Sequence, residues 1–313
     1  MQNGLNKRVL WKKVLFFILL LPAIVIVFLI LKNSTYLISE FILVPNNTSQ
    51  FEQCDKMESI GQKRIPKIIH QVHGFKDLQM NTDHLDKIKT WKEQHSDYIY
   101  YLWNATTVNR LIQNEYKHLF HLFTSYGSWI QRADVARYVI LHYYGGWYID
   151  LDVRCKAGLQ DLVLQAYFEK KTGIFHTTYP AGISNDIFGI TPHHPFLKSV
   201  LDNLPNANRW YLLPHWNILL SAGSTYMWGR LLNYPCKENL IVLEKDEYEK
   251  YFQIEHDGSW HSWDDKVGLM LLNVLQYKSL LTTLMVLFCL IVVVCVRLTC
   301  SSKHLTLNGF SPK

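Results

Sequence analysis

The hydrophobic positions in the middle of the chain change period repeatedly. A short apolar run over residues 67–72 predicts a first buried strand, and an aromatic run over 98–103 predicts a second. Apolar residues at helical spacing predict helices over 83–95, 106–123 and 128–144. Strands that alternate with helices in this way predict an α/β fold with a mainly parallel central sheet.

Two longer apolar runs without a charged residue lie near the ends of the chain, at 14–31 and 279–296. A helix needs roughly 17–25 apolar residues to cross a bilayer, so both runs are long enough. The alternatives are a cleaved signal peptide for the first run and a buried core helix for the second. No clear small-x-small cleavage site follows the first run, so we predict an uncleaved transmembrane anchor there. The length of the second run predicts a second transmembrane helix.

The net charge of +6 is concentrated outside these two runs. Residues 1–13 contain four basic residues and 297–313 contain three, with no acidic residue in either tail. Subtracting those seven charges from +6 leaves −1 for the remaining chain, which argues against a nucleic-acid-binding surface. The positive-inside tendency predicts that both tails are cytosolic. The lumenal part would then comprise a polar stem over 32–63 and a globular domain over 64–268.

The lumenal part fits a secretory compartment. Both predicted spans are short, which suits the thinner membranes of the early secretory pathway, and we predict the Golgi membrane or another early secretory membrane. Four N-glycosylation triplets lie in this part, at Asn33, Asn46, Asn47 and Asn104. Its three cysteines allow one disulfide and one free thiol, with three possible pairings. These cysteines are Cys54, Cys155 and Cys236.

A pair of carboxylates follows the helix predicted over 128–144. Two glycines end this helix, and an apolar strand is predicted over 147–153. Asp150 and Asp152 stand near the end of that strand, where alternate residues project to the same side. We therefore expect both carboxylates in one cleft at the carboxyl edge of the sheet, as ligands for Mg²⁺ or Mn²⁺. The alternative for an isolated D-x-D is a solvated turn.

The preceding helix adds a second charged pair. Asp134 and Arg137 are three residues apart and share a helix face. An ordinary surface ion pair is the simpler interpretation. However, the helix runs back toward the sheet edge that carries the two aspartates. A carboxylate can accept sugar hydroxyls, and a guanidinium can hold a diphosphate, so we expect this pair at the same site.

Taken together, the segment RADVARYVILHYYGGWYIDLD over 132–152 resembles the signature of the DXD-containing glycosyltransferases of family 32. The resemblance implies a GT-A-type nucleotide-sugar-binding fold. The segment IPKIIHQ over 65–71 is similar to the first strand of that family. Three further segments resemble the fungal mannosyltransferases that act on inositol phosphorylceramide, and they are 181–189, 194–196 and 258–265.

The resemblance implies a retaining transferase that moves mannose from GDP-mannose to a sphingolipid headgroup such as inositol phosphorylceramide, with Mn²⁺ or Mg²⁺ as cofactor. The residues expected to bind the metal are Asp150, Asp152 and His261. The residues expected at the donor sugar and the reacting carbon are Asp134, Arg137, Asn185 and Asp186. The residues expected to bind the nucleotide sugar are His70, Gln71, Asp134, Arg137, Asp150, Asp152 and Trp260.

Structural roles compete with these assignments at several positions. Asn and Asp favour turns, so Asn185 and Asp186 could simply form one. Trp260 fits core packing as well as a pocket wall. A polar residue such as His70 is also normal at a strand end, and His261 could have no special role.

The substrate is the least determined property. Residues 221–226 read SAGSTY, where the family commonly has STGPLF, and this segment is expected to border the sugar or the acceptor. Another glycosyltransferase, using UDP-galactose or UDP-GlcNAc on a glycan or glycolipid, is one alternative. An inactive membrane-anchored partner and a metal-dependent phosphohydrolase are two more. The intact charged residues favour an active transferase over an inactive partner. A metal-dependent phosphohydrolase usually needs more metal ligands than this sequence offers. A regulatory membrane subunit could also be a partner.

Overall fold

The computed structural model describes residues 64–76, 79–178, 182–211 and 213–255. All of them belong to the first of two units into which the chain divides, Met1–Ser259 and Trp260–Lys313. The strands are β1 (Ile68–Val72), β2 (Ile99–Trp103), β3 (Gly146–Ile149), β4 (Val153–Cys155), β5 (Gly173–His176), β6 (Ile187–Ile190), β7 (Leu240–Leu243) and β8 (Phe252–Ile254). The α-helices are α1 (Thr82–Gln94), α2 (Ala105–Glu115), α3 (Lys117–Ser125), α4 (Trp129–Tyr144), α5 (Gln160–Phe168), α6 (Pro195–Ala207), α7 (Pro214–Ser221), α8 (Ser224–Leu232) and α9 (Lys245–Tyr248).

Six strands form the central sheet in the order β2-β1-β3-β6-β5-β7. The β1–β2, β1–β3 and β5–β7 pairs are parallel, and β6 runs antiparallel to both of its neighbours. The mainly parallel sheet predicted from the alternating pattern is confirmed. Strands β4 and β8 form a separate antiparallel pair.

Helices cover the sheet through two hydrophobic clusters. One cluster contains the buried apolar residues of α4 and α6, including Tyr138 and Phe196. The other contains Trp91 of α1 together with Trp147 of β3. The Trp91 indole also donates a hydrogen bond to the carbonyl of Val153 at 2.9 Å, which fastens α1 to β4.

Local sequence signals define α4 closely. Ser128 caps the helix and forms a capping box with Gln131, as the prediction of a helix over 128–144 requires. Gly145 ends the helix with a φ of 64°. Gly146 follows with a φ of 93°, and a Cβ atom there would lie 2.6 Å from the carbonyl oxygen of Ile68. Glycine is therefore required where β3 approaches β1.

The single helix predicted over 106–123 is wrong, because the structure has two helices that meet at Tyr116. Tyr116 adopts φ −129° and ψ 46°, which are not helical dihedrals. Its side chain is buried, and its hydroxyl lies 2.5 Å from Nδ1 of His142 on α4. Contact with a distant helix thus overrides the continuous helical spacing.

The strand predicted over 147–153 is also shorter than expected. Strand β3 ends at Ile149, and the amide of Val153 donates to the carbonyl of Asp150 at 3.2 Å. Asp150 and Asp152 therefore lie in a turn between β3 and β4, and they are not alternate residues of one strand. The chain turns because the residues beyond it pair with β8 instead of continuing the central sheet.

Several predictions fall outside the described residues: both predicted spans, the tails, the stem and residues 256–268. Within the described ranges, no helix combines the length and the hydrophobicity needed to cross a membrane. Cys155 is a buried free thiol, whereas Cys236 is disulfide-bonded. The two pairings that involve Cys155 are therefore wrong.

Candidate active site

Arg137 lies at the centre of a buried charged cluster. Its guanidinium is 3.1 Å from Oδ1 of Asp134 and 3.2 Å from Oδ2 of Asp150, and its side chain is only 6% exposed. It also donates a hydrogen bond to the carbonyl of Asn185 at 2.5 Å. The structure thus brings together the helix pair and the first aspartate of the D-x-D, and the surface ion pair considered from the sequence is wrong.

Asn185 links this cluster to the surrounding scaffold. Its amide donates to Oδ1 of Asp134 at 2.8 Å and to the hydroxyl of Tyr138 at 3.0 Å. The Tyr138 hydroxyl in turn donates to the carbonyl of Ala222 at 2.7 Å. Asn185 is buried, and both of its contacts come from α4, so it fixes the position of the Asp134 carboxylate.

The D-x-D turn is held through its main chain as well as its side chains. The Asp150 amide donates to the carbonyl of Asp186 at 2.7 Å, and the Gln71 side chain donates to the Asp150 carbonyl at 3.3 Å. The Tyr148 hydroxyl donates to Oδ1 of the Asp150 carboxylate at 2.7 Å. The half-buried Asp152 accepts the amide of Glu255 at its carbonyl, at 3.0 Å.

His176 is a residue that the sequence analysis missed. It ends β5, and its Nε2 lies 2.6 Å from Oδ1 of Asp186, while its Nδ1 lies 2.9 Å from the carbonyl of Thr177. Each ring nitrogen of His176 therefore faces an oxygen atom of a neighbouring residue. The available sequence signal was a polar residue at the end of an apolar strand.

The three carboxylates of the site, of which only Asp134 is buried, differ in their pKa values. Burial raises the pKa of Asp134 to about 7, although Arg137 opposes the shift. Burial also raises the pKa of Asp150, against the opposing effects of Arg137 and Tyr148. For Asp186, burial alone would raise the pKa, but the charge and hydrogen bond of His176 lower it to about 2.

Arg137 keeps its charge despite its burial. Removal from water lowers the pKa of a guanidinium, but here Asp150, Tyr148 and Asp134 together raise it well above its usual value. A permanently charged guanidinium held by carboxylates is a stable binding group for a phosphate or a sugar oxygen.

His70 and Gln71 lie on opposite faces of β1. His70 is fully buried; its Nε2 lies 3.0 Å from the Gly145 carbonyl, and its Nδ1 accepts the indole of Trp103. Burial lowers its pKa to about 4, so the ring is neutral at pH 7. Gln71 contacts the D-x-D turn directly, whereas His70 does not. That His70 and Gln71 lie beside the base of the nucleotide sugar stays a prediction.

The carboxylates of Asp150 and Asp152 suit a hard divalent cation whose remaining ligands do not come from the protein. Within the part of the chain that the structure describes, no group of three His, Cys, Asp or Glu side chains is arranged to hold a metal ion. Asp150 and Asp152 offer carboxylate oxygens from one turn, and water and phosphate usually complete the shell of Mg²⁺ or Mn²⁺. The pair therefore fits such an ion. His261 and Trp260 lie outside the described residues.

The comparison with protein families gives the class of this protein. Residues 82–169 match the family model described as glycosyltransferase sugar-binding region containing DXD motif. The matched stretch includes α4, the turn after β3 and therefore most of the charged cluster around Arg137.

Curated relatives narrow that class. The chain is 31% identical to inositol phosphoceramide mannosyltransferase 1 of Schizosaccharomyces pombe, over 71% of this chain and 71% of that protein. It is 33% identical to inositol phosphoceramide mannosyltransferase 2 of the same yeast, over 65% of this chain and 60% of the relative. It is also 33% identical to mannosyl phosphorylinositol ceramide synthase SUR1 of Saccharomyces cerevisiae, over 67% of this chain and 55% of the relative. The chain belongs to the DXD-containing glycosyltransferase family of these fungal proteins.

The chain spans only 60% of the length of mannosyltransferase 2 and 55% of the length of SUR1. Among solved structures, it is similar to the PaToxG glycosyltransferase, with a TM-score of 0.42 and 16% identity over 58% of this chain and 76% of that one. It is also similar to the UDP-bound glycosyltransferase domain from the YGT toxin, with a TM-score of 0.40 and 8% identity over 64% of this chain and 82% of that one.

Proposed function

We propose that this protein is a retaining mannosyltransferase that moves mannose from GDP-mannose to the headgroup of a sphingolipid such as inositol phosphorylceramide. The proposal rests above all on the intact charged cluster around Arg137, in a chain whose relatives include proteins named as inositol phosphoceramide mannosyltransferases. An inactive partner would be under no constraint to retain a buried arginine with two carboxylates.

The chemistry follows from where the charges lie. In glycosyl transfer, negative charge develops on the departing diphosphate while the sugar becomes cation-like. Arg137 is preorganised by Asp134, Asp150 and the Asn185 carbonyl, so it can stabilise that charge without reorienting. Asp150 and Asp152 would hold a divalent cation, Mn²⁺ or Mg²⁺, which neutralises charge on the diphosphate.

Asp134 and Asn185 would orient the donor sugar. The Asp134 carboxylate is held by Asn185 and Arg137, and its oxygens can accept sugar hydroxyls. Asp186, kept ionised by His176, would place a negative charge near the cation-like carbon. His70, Gln71, Trp260 and His261 complete the set of proposed binding residues.

The remaining features of the proposal concern the whole protein. We assign it a GT-A-type fold between two membrane helices, with both termini cytosolic and the catalytic domain in the Golgi lumen. The basic tails outside two apolar runs support this topology. A membrane lipid is then the natural acceptor, and a regulatory membrane subunit is a further possible partner.

A donor screen tests the proposal. The full chain, purified in detergent, is supplied with GDP-mannose, UDP-galactose, UDP-GlcNAc or UDP-glucose, and diphosphate release is measured with Mn²⁺ or with EDTA. We expect release from GDP-mannose that requires both Mn²⁺ and inositol phosphorylceramide. The variant Asp152→Ala should lose this release, whereas Asp161→Ala, an exposed aspartate on α5, should keep it.

Each other result contradicts a defined part of the proposal. Metal-dependent release from a UDP-sugar alone would overturn the donor and leave a transferase. Release that does not depend on the lipid would overturn the acceptor. No release from any donor, with no metal-dependent nucleotide binding, would indicate an inactive partner.

A further inference from the structure

One N-glycosylation triplet lies in the described part of the chain, at the junction of β2 and α2. Asn104 follows directly after the last residue of β2 and is the N-cap of α2, and Ala105 and Thr106 complete the triplet. Asn104 and Thr106 are both exposed. The other three triplets lie outside the described residues. Asn104 is therefore the acceptor whose surroundings the structure shows.

The two polar atoms of the Asn104 side chain have different surroundings. Oδ1 accepts the amide of Thr107 at 2.9 Å, which caps α2, and it also lies 3.3 Å from the Thr107 hydroxyl. Nδ2 donates a hydrogen bond to none of the residues that the structure describes. N-linked glycosylation attaches the sugar at this nitrogen and leaves the oxygen in place. A glycan on Asn104 would therefore keep the helix cap intact.

Strand β2, which ends beside Asn104, forms an edge of the central sheet. Among the described strands it is the outermost, and it pairs with β1 alone. The Ile99 amide and the Trp103 carbonyl bond to the residues on either side of β1. Because the direction of these bonds alternates along a strand, the main-chain groups of Tyr100 and Leu102 point away from β1.

The side chains of β2 do not protect this edge. Its sequence is IYYLW, which contains no charged residue, proline or glycine. Ile99, Tyr101 and Leu102 are 56%, 43% and 39% exposed. Sheet edges usually carry charge, proline, a bulge or a cover, because an uncharged strand with free main-chain groups pairs with other chains. An edge of this kind therefore needs protection from another source.

Charged side chains lie near the beginning of β2 and leave its end to Asn104. Nζ of Lys92 lies 4.3 Å from the centre of the Tyr100 ring, and Lys67 pairs with Asp97, two residues before the strand. Leu102 is two residues from Asn104, which is about 7 Å along a strand. An oligosaccharide is bulky and strongly hydrated, so one attached at Asn104 would lie over the exposed end of the edge.

We propose that Asn104 carries an N-linked glycan and that this glycan shields the free edge of β2. The sugar donor would be an oligosaccharide joined through a diphosphate to a lipid. Nδ2 of Asn104 forms a bond to C1 of the first sugar and loses one proton, while the bond from C1 to the diphosphate oxygen breaks and the lipid diphosphate leaves. The proposal rests on the lumenal placement of this domain in the proposed function and adds a modification site to it.

A matched pair of substitutions tests the modification. Thr106→Ala and Thr106→Ser are made in the full chain, which is produced in yeast. Both leave Asn104 and its cap in place, but only serine retains the triplet. We expect Thr106→Ser to migrate on a denaturing gel as the unchanged protein does, and Thr106→Ala to migrate faster by the mass of one glycan. Removal of all N-glycans with a glycosidase should make the three proteins migrate together.

Two other gel patterns would overturn the modification. If the two variants migrate together and the glycosidase still shifts both, other triplets are used and Asn104 is not. If the glycosidase shifts none of the proteins, no triplet is used, and the lumenal placement loses the support of the triplets as well. Asp152→Ala should carry the same glycan, because the modification does not depend on this protein's own transfer activity. Failure of the proposed reaction would therefore leave the gel pattern unchanged.

Self-association tests the shielding. The three proteins are purified in detergent, and size-exclusion chromatography with light scattering measures their mass as the concentration is raised. We expect Thr106→Ala to shift to larger species at concentrations where Thr106→Ser stays a single species. Adding Leu102→Lys to Thr106→Ala should restore the single species, because a charge on an edge strand opposes pairing. If Thr106→Ala does not associate, or if Leu102→Lys does not reverse its association, the glycan does not shield β2.

Discussion

At the scale of single residues, the protein depends on Arg137. A buried guanidinium is costly to remove from water, and two carboxylates and one carbonyl offset that cost here. The arrangement is specific to arginine because its planar fork reaches several acceptors at fixed angles. A lysine at this position would present a single ammonium to the same acceptors.

Arg137→Lys should therefore lower the rate of sugar transfer while retaining the charge. We expect a loss of about 10²-fold or more in kcat, as for removal of one preorganised donor at developing charge. Diphosphate release under saturating donor measures it. Arg132→Lys on the same helix, whose Nε donates to the carbonyl of Tyr126, should have little effect. Equal losses in the two variants would show that α4 responds to any shortened side chain.

At the scale of elements, the junction of α4 and β3 positions the D-x-D turn. Gly145 and Gly146 reverse the chain with positive φ values, and β3 then pairs with β1 through Trp147 and Tyr148. This register leaves Asp150 directly after the strand, within reach of Arg137.

Gly146→Ala should destabilise this junction. The new Cβ would meet the Ile68 carbonyl oxygen at 2.6 Å, in a backbone region that costs a non-glycine residue about 1–3 kcal/mol. We expect the free energy of unfolding, measured with urea, to fall by at least that amount. Gly127→Ala is the control, because a Cβ there has no neighbour within 4 Å. A normal unfolding curve for Gly146→Ala would contradict the close approach of β3 and β1.

A second junction links α1 to β4 through charged groups. The Lys87 side chain is 1% exposed and pairs with Asp83 at 2.6 Å and Glu255 at 3.3 Å. Arg154 of β4 also pairs with Glu255, at 2.9 Å, so one acidic residue connects the two elements.

Lys87→Met removes two ion pairs and should lower the free energy of unfolding by about 1–3 kcal/mol. The loss should be no larger, because Asp83 and Glu255 are partly solvated and water can stabilise their charges once the lysine is gone. Lys89→Met on the same helix removes an exposed pair with Glu93 and should change it by less than about 0.5 kcal/mol. Urea unfolding compares the two variants. If both have the same stability, the buried network contributes nothing that a methionine cannot replace.

At the scale of the whole molecule, burial of histidine makes the fold sensitive to acid. Burial lowers the pKa of His70 and His142 to about 4, and that of His194 to about 3. In the unfolded chain these groups titrate near 6.5, so below that pH the unfolded state binds more protons. Asp134 and Asp150 act in the opposite direction, because burial raises the pKa of both carboxyls.

The three histidines with lowered pKa values outnumber the aspartates with raised ones. The free energy of unfolding should therefore fall as the pH falls from about 6.5 to 4. Their contribution is fully present above 6.5 and is lost as the pH approaches their folded pKa values. His194→Asn should make this dependence shallower, because it removes one of the three titrating histidines. Asparagine can retain the helix cap that His194 provides to the amide of Phe196, so the helix should still form. Urea titrations across this pH range, with the exposed His118→Asn as control, measure the slope. An unchanged slope for His194→Asn would contradict the assignment.

The sequence by itself determined most of the elements before residue 150 and the central residues of the charged site. Apolar periodicity and capping signals depend on neighbouring residues, so they predicted β1, α1, β2 and α4 to within a residue or two. The motif around Arg137 also identified its partners Asp134 and Asp150, because the family pattern spans one contiguous segment.

Only the tertiary structure decided the features that depend on distant segments. The D-x-D became a turn because β4 pairs with β8, about a hundred residues later in the chain. The helix over 106–123 broke at Tyr116 because its ring contacts α4, and Asp186 acquired His176 because β5 and β6 are neighbours. Local patterns encode periodicity and chain reversal, whereas the free energy of burial and pairing depends on which surfaces meet.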